Sequence, residues 1–190
     1  VSREALVEAF AEQARALEKG GVDFFHVETM SDLEEAVAAV EGIRGVSSLP
    51  VALTMSFDSG KVEAGLPAGQ AGLRTMMGVS ARQLAEKAGE LGLFGVGANC
   101  GRGLEGYQAV IRELVDTAGQ AVVIAKLNTG VPSASGGRGG RVDYSGSPQD
   151  MAQYALWCAR QGVGIIGGCC GTTPAHIEAM ARVLAREGLR

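Results

Sequence analysis

The stretch GVGIIGGCCGTTPAHI (162–177) decides the fold. Its first half, VGIIGGCC (163–170), is a short apolar run punctuated by glycine, which reads as a strand buried in a parallel sheet. Its second half carries Thr173-Pro174, an N-cap followed by proline at the first helical position. Strand, glycine turn and helix in that order make one β/α unit. Two adjacent cysteines, Cys169 and Cys170, stand at the turn. Parallel α/β sheets gather their functional groups at that end of the strands.

Working outward, the same alternation runs through the chain. Residues 3–19 place Leu6, Val7, Phe10, Ala14 and Leu17 at helical spacing, and Gly20-Gly21 stops that helix. VDFFHVET (22–29) reads as a strand. Ser31 and Glu34 form a predicted capping box for a helix reaching about Ile43. PVALTMSF (50–57), FGVGANC (94–100) and AVVIAKLN (121–128) read as further strands. Ser80 with Gln83 opens a helix that ends near Gly92, and another helix runs from Leu104 to about Thr117. Ser147-Pro148 opens one that runs to Arg160. Two glycine-rich loops, 58–79 and 129–146, are long for β/α connections, and loops of that length are often functional.

Five short apolar strands separated by helices predict a parallel sheet covered by helices, either doubly wound or part of a β/α barrel. Cys100 and Cys169 are 69 positions apart (169 − 100) with two β/α units between them. In a flat sheet, next-but-one strands lie roughly 10 Å apart. A metal shared by both thiols therefore favours the curved architecture. A doubly wound nucleotide-binding domain leaves the cysteine pair unexplained and would carry a GxGxxG turn after its first strand, which is absent. The expected fold class is α/β, a partial (β/α)8 TIM barrel of about five parallel β/α units, in one domain over residues 1–190.

Composition excludes several functions. The 190 residues carry a net charge of −4 and 5% aromatic side chains, which argues against a nucleic-acid surface. No apolar run approaches the length of a membrane span. VSREALVEAF at the start is amphipathic rather than a signal peptide, so a cytoplasmic location is expected. There, clustered cysteines point to metal or catalysis rather than to disulfides.

Thiolates are preferred zinc ligands, and three protein ligands with one open position are the pattern of a catalytic zinc site. Cys100, Cys169 and Cys170 supply that set. Cys158, on an apolar helical face, reads as a small buried hydrophobe. The only histidines are His26, within a strand and with no metal role expected, and His176, in a first helical turn and expected to cap or face solvent. Glu28, at a strand end, either pairs for structure or meets substrate. Asn99 and Asn128 either orient the site, with Asn99 also a candidate substrate contact, or simply end their strands. The GRG at 101–103 is a weak anion-binding signal.

The motifs GANCGRG (97–103), AKLNTGVP (125–132) and IIGGCCGTTPAHI (165–177) together resemble the homocysteine S-methyltransferase family. ETMSDLEEAVAAV (28–40), LTMSF (53–57) and RTMMGVS (74–80) are similar to it as well. The resemblance implies a (β/α)8 barrel with Zn²⁺ on Cys100, Cys169 and Cys170, and homocysteine sulfur in the open position. It also implies Glu28 on the substrate's amino group, and methionine as product. The donor would be a methylcobalamin/methylfolate system, betaine or S-methylmethionine. Only five of the family's eight strands are expected here, corresponding to strands 4–8, with the first three β/α units missing. That leaves a second expectation: a non-catalytic zinc-binding partial barrel that needs a complementary barrel fragment or forms a homo-oligomer.

Overall fold

The computed structural model describes residues 1–60, 72–101, 104–130, 132–135 and 141–189. Strands β1 (Phe25–Met30), β2 (Val51–Met55), β5 (Gly95–Cys100), β6 (Val122–Leu127) and β9 (Ile165–Gly168) form one sheet in that order, every pair parallel. Helices α1 (Arg3–Lys19), α2 (Leu33–Arg44), α3 (Ala81–Glu90), α4 (Leu104–Thr117), α5 (Pro148–Arg160) and α6 (Pro174–Arg186) connect and flank them. Four of the five strands sit within the expected runs, trimmed at their ends, and β1 extends to Met30, one residue past the expected 22–29. The loops expected at 58–79 and 129–146 contain short antiparallel pairs: β3 (Ser59–Gly60) with β4 (Leu73–Arg74), and β7 (Pro132–Ser135) with β8 (Arg141–Tyr144). Residues 61–71, 131 and 136–140 of those loops fall outside the described residues.

Helix starts follow local chemistry. Ser80 with Gln83 and Ser147 with Asp150 form reciprocal capping boxes, with proline in the first turn after Ser147. The start of α2 departs from expectation. Asp32, not Ser31, is the N-cap, its carboxylate accepting from the Glu35 amide at 2.9 Å. A carboxylate there satisfies an orphan N–H and complements the helix dipole.

All six helices share one core on one face of the sheet. Phe25, Val27, Leu53, Met55, Val96, Ala98, Val123, Ala125 and Leu127 point into it, beside residues of every helix from Ala14 of α1 to Met180 of α6. Strand alternation puts His26, Glu28, Thr54, Gly97, Asn99, Ile124, Lys126 and Gly167 on the other face. A doubly wound sheet would cover both faces with helices. A sheet with helices on one face only is the wall of a barrel. On this inner face two apolar side chains, Val122 and Ile165, stay 38% and 37% exposed.

Two strands approach unusually closely. A Cβ at Gly97 would lie 1.9 Å from the carbonyl oxygen of Ile124, so β5 and β6 meet at this distance only because residue 97 is glycine.

Candidate metal centre

The three thiols converge. Cys100 ends β5, and Cys169 and Cys170 follow β9 directly, with β6 between the two strands. Their sulfurs lie 3.0 Å (Cys100–Cys169), 4.0 Å (Cys100–Cys170) and 3.9 Å (Cys169–Cys170) apart. A flat sheet would hold the strand ends roughly 10 Å apart, so sheet curvature and inward-turned side chains have closed the gap.

Backbone strain does part of this. Among the described residues, the non-glycine residues with positive φ are Thr29 (61°) and Cys100 (59°). Alternation would send Cys100 to the helix side, opposite to Asn99. The left-handed conformation turns it back, and both then face the site. At Thr29 the β1–β2 register shifts between Val27 and Met30, and this bulge swings the Thr29 amide toward Asn99. Each such residue costs about 1–2 kcal/mol, and strain of this kind collects at functional sites.

Asn99 is fully buried beneath the thiols. Its Oδ1 accepts from the Thr29 amide (3.1 Å) and the Thr54 hydroxyl (2.8 Å). Its Nδ2 donates to Thr29 Oγ1 (2.6 Å) and points at Cys100 Sγ (3.6 Å) and Cys169 Sγ (3.8 Å). Asn128 holds the two cysteine-bearing turns together: its Nδ2 donates to the Gly101 carbonyl (3.2 Å) and its Oδ1 accepts from the Cys170 amide (3.0 Å). Asn128 thus joins the two turns, and Asn99 lies with its Nδ2 toward two of their sulfurs. Gly171 (φ 79°) lets the chain turn where a Cβ would meet Thr129 Oγ1 at 2.2 Å and the Tyr144 ring at 2.5 Å.

Burial and its sulfur neighbours push the Cys100 thiol far above the ordinary range. Burial also opposes ionisation of Cys169, but hydrogen bonds from Cys100, Asn99 and Cys170 outweigh it and hold this thiol below its ordinary value. Cys169 is therefore the more acidic of the pair. The sulfur triangle suits a metal. Tetrahedral coordination at a Zn–S distance of about 2.3 Å puts ligand sulfurs about 3.8 Å apart, close to two of the three edges here. These three residues are a group that could hold a metal ion.

Glu28, on the inner face, forms an ion pair with Lys126 of β6. Lys126 is the register partner of both Asn99 and Gly167. Cys158 is fully buried in α5, as expected. His26 bonds Thr54 Oγ1 at 3.0 Å. His176 is buried rather than solvent-facing: its Nδ1 accepts from the Thr173 amide (3.1 Å), and its Nε2 contacts the Gly146 carbonyl (3.2 Å), so it caps α6 and ties it to a loop. The GRG reading falls on Arg102 and Gly103, outside the described residues.

Beyond the residues singled out from sequence, Thr54, Lys126 and two tyrosines support the site. Tyr107 and Tyr154 reach from α4 and α5 to the strand ends. Tyr107 donates to the Ala98 carbonyl and accepts from the Lys126 amide, and Tyr154 accepts from the Leu127 amide at 3.2 Å. A lone lysine inside the apolar run AVVIAKLN was the visible signal for Lys126.

The fold and this centre define a class: β/α-barrel proteins with a three-thiol site at the carboxyl ends of their strands. A profile of that class, described as homocysteine S-methyltransferase, matches residues 1–184, and the chain belongs to that family. Among solved structures, it is similar to the homocysteine methyltransferase MmuM from Escherichia coli. The apo form matches with a TM-score of 0.64 at 21% identity over 93% of this chain and 57% of that one. The oxidized form matches with a TM-score of 0.66 at 23% identity over 93% and 52%. The chain thus spans little more than half the length of these solved relatives.

Proposed function

We propose that this chain carries the metal-binding part of a zinc-dependent enzyme that transfers a methyl group to the thiol of homocysteine, forming methionine. The observation that carries this reading is the convergence of the Cys100, Cys169 and Cys170 sulfurs, all within 4.8 Å of one another, at one end of a parallel sheet. Family membership supports the substrate.

Cys100, Cys169 and Cys170 would hold the zinc and leave its fourth position for the substrate sulfur. Zinc, when bound, supplies the Lewis acidity that keeps that sulfur deprotonated at neutral pH. The rest is positioning. The Asn99 amide donates toward two of the thiolates and fixes their orientation. Glu28, held by Lys126 on the inner face, is a suitable partner for the substrate's ammonium group. The substrate sulfur then attacks the methyl carbon in line, forming the new C–S bond as the donor–methyl bond breaks. Betaine, S-methylmethionine and a methylcobalamin/methylfolate system all remain candidate donors. Free thiols of this kind suit a reducing compartment, and we assign the protein to the cytoplasm.

One observation favours a second reading, in which the chain works only with a complementary barrel fragment or another copy. Among the described residues, β1 and β9 each pair on one side only. Leu17 and Phe24 (each 44% exposed) border a cavity of about 290 Å³ along the free edge of β1. The five β/α units here would correspond to strands 4–8 of a closed barrel, and such edges call for pairing.

Metal analysis of the purified chain tests the site. About one zinc per chain is expected, and it is lost in Cys170→Ser; absence of zinc from the parent chain sinks the proposal. A methylation assay with each donor, read as methionine by mass spectrometry, then separates the two readings. Methionine from the chain alone supports the first. Methionine only after adding a chain with the remaining β/α units supports the second.

A further inference from the structure

A directed chain of hydrogen bonds runs from His26 to the thiols. We propose that His26 and Thr54 are positioning residues that lock the Asn99 side-chain amide with its NH₂ toward Cys100 and Cys169. The direction of each bond follows from the donors available. The Thr29 backbone N–H can only donate, so the Asn99 atom 3.1 Å from it is the oxygen. Thr54 has a single hydroxyl proton, and its oxygen is 2.8 Å from that same Oδ1, so the proton goes there. Thr54 then has only acceptor capacity left for His26 Nε2, 3.0 Å away, and Nε2 carries the hydrogen.

The opposite orientation of the amide is excluded by the same inventory. It would set the Asn99 NH₂ against the Thr29 N–H, and its oxygen against sulfurs that are to carry negative charge. Thr54 and Asn99 are both fully buried, so no solvent competes for these bonds. The Thr54 hydroxyl could rotate on its own, but the His26 N–H occupies its acceptor side and leaves the proton aimed at Asn99. Burial depresses the basicity of His26, which keeps the ring neutral with a single N–H. The consequence falls on the sulfurs: one Nδ2 hydrogen serves Thr29 Oγ1 at 2.6 Å, and the other is directed between the two thiols.

The effect on metal binding rests on the zinc reading above, whereas the lock itself does not, and two experiments on the full chain separate them. The first uses the metal-free chain and follows hydrogen exchange of the Asn99 side-chain amide by NMR. Thr54→Val is expected to speed exchange about tenfold, with Thr54→Ser restoring it. His26→Leu should act in the same direction and His26→Gln, which keeps a donor, should restore protection. Unchanged protection in both Thr54→Val and His26→Leu overturns the proposal.

The second experiment titrates Co²⁺ and records its thiolate charge-transfer band. Thr54→Val should weaken Co²⁺ binding about tenfold and shift the band, and Thr54→Ser should restore both. Identical affinity and band in parent and Thr54→Val overturn the proposal. A parent chain that binds no Co²⁺ sinks the zinc reading instead, and the exchange experiment still decides the lock.

Discussion

Replacing Gly97 by alanine puts a methyl carbon where the sheet has no room. The new Cβ would lie 1.9 Å from the Ile124 carbonyl oxygen, with Ile124 carbonyl carbon and Cβ at 2.7 and 2.8 Å. Real Cβ atoms essentially never come within 3.0 Å of such atoms, so the strands must part by at least 1.1 Å (3.0 − 1.9). A ladder bond near 2.9 Å would open to about 4.0 Å, well past the limit for a hydrogen bond. Two such bonds between buried strands, each worth about 1–3 kcal/mol when a partner is left unpaired, give a loss of roughly 3 kcal/mol. The damage would reach the thiols, because β9 is joined to β5 only through β6. Urea unfolding of the metal-free chain, followed by fluorescence of the single tryptophan, Trp157, measures the loss. A stability within about 1 kcal/mol of the parent would refute the close-approach reasoning.

Cys158 makes stability depend on alkaline pH. Burial raises its thiol from 9.0 to about 12, so the folded chain keeps a proton that the unfolded chain releases first. The stabilisation is fully present below pH 9 and falls by about 1.4 kcal/mol per unit as pH rises toward 12. Urea unfolding from pH 8 to 10.5 should show a steeper decline for the parent than for Cys158→Ala, and equal slopes contradict this. Tyr107 and Tyr154, both raised chiefly by burial, are present in both chains. Glu28→Gln should weaken homocysteine binding to the zinc-loaded chain about tenfold, measured by calorimetry, with zinc content unchanged. Full affinity in that variant removes Glu28 from the substrate site.

Much of the architecture was legible because it rests on local signals. Periodicity and caps such as Ser80 and Ser147-Pro148 mark helices, and apolar runs ending in Asn99-Cys100 and Cys169-Cys170 mark strands with functional ends. Curvature could be inferred from the demand that Cys100 and Cys169 share a metal, and their sulfurs do meet. What sequence could not supply is the geometry that depends on tertiary neighbours. The left-handed turns at Thr29 and Cys100 fall on residues with no intrinsic preference for them. The His26–Thr54–Asn99 chain joins three strands whose pairing no local pattern specifies. His176 looked like a surface cap because its buried side depends on Gly146, thirty residues away. The N-cap at Asp32 rather than Ser31 is a one-residue choice between two good caps.

The proposed centre holds zinc on three thiolates and leaves one position for a substrate sulfur. X-ray absorption at the zinc edge, before and after homocysteine is added, tests it most directly. Three sulfur neighbours at about 2.3 Å are predicted without substrate, and four with it. Zinc with fewer than three sulfurs, or a sulfur number unchanged by homocysteine, would contradict it.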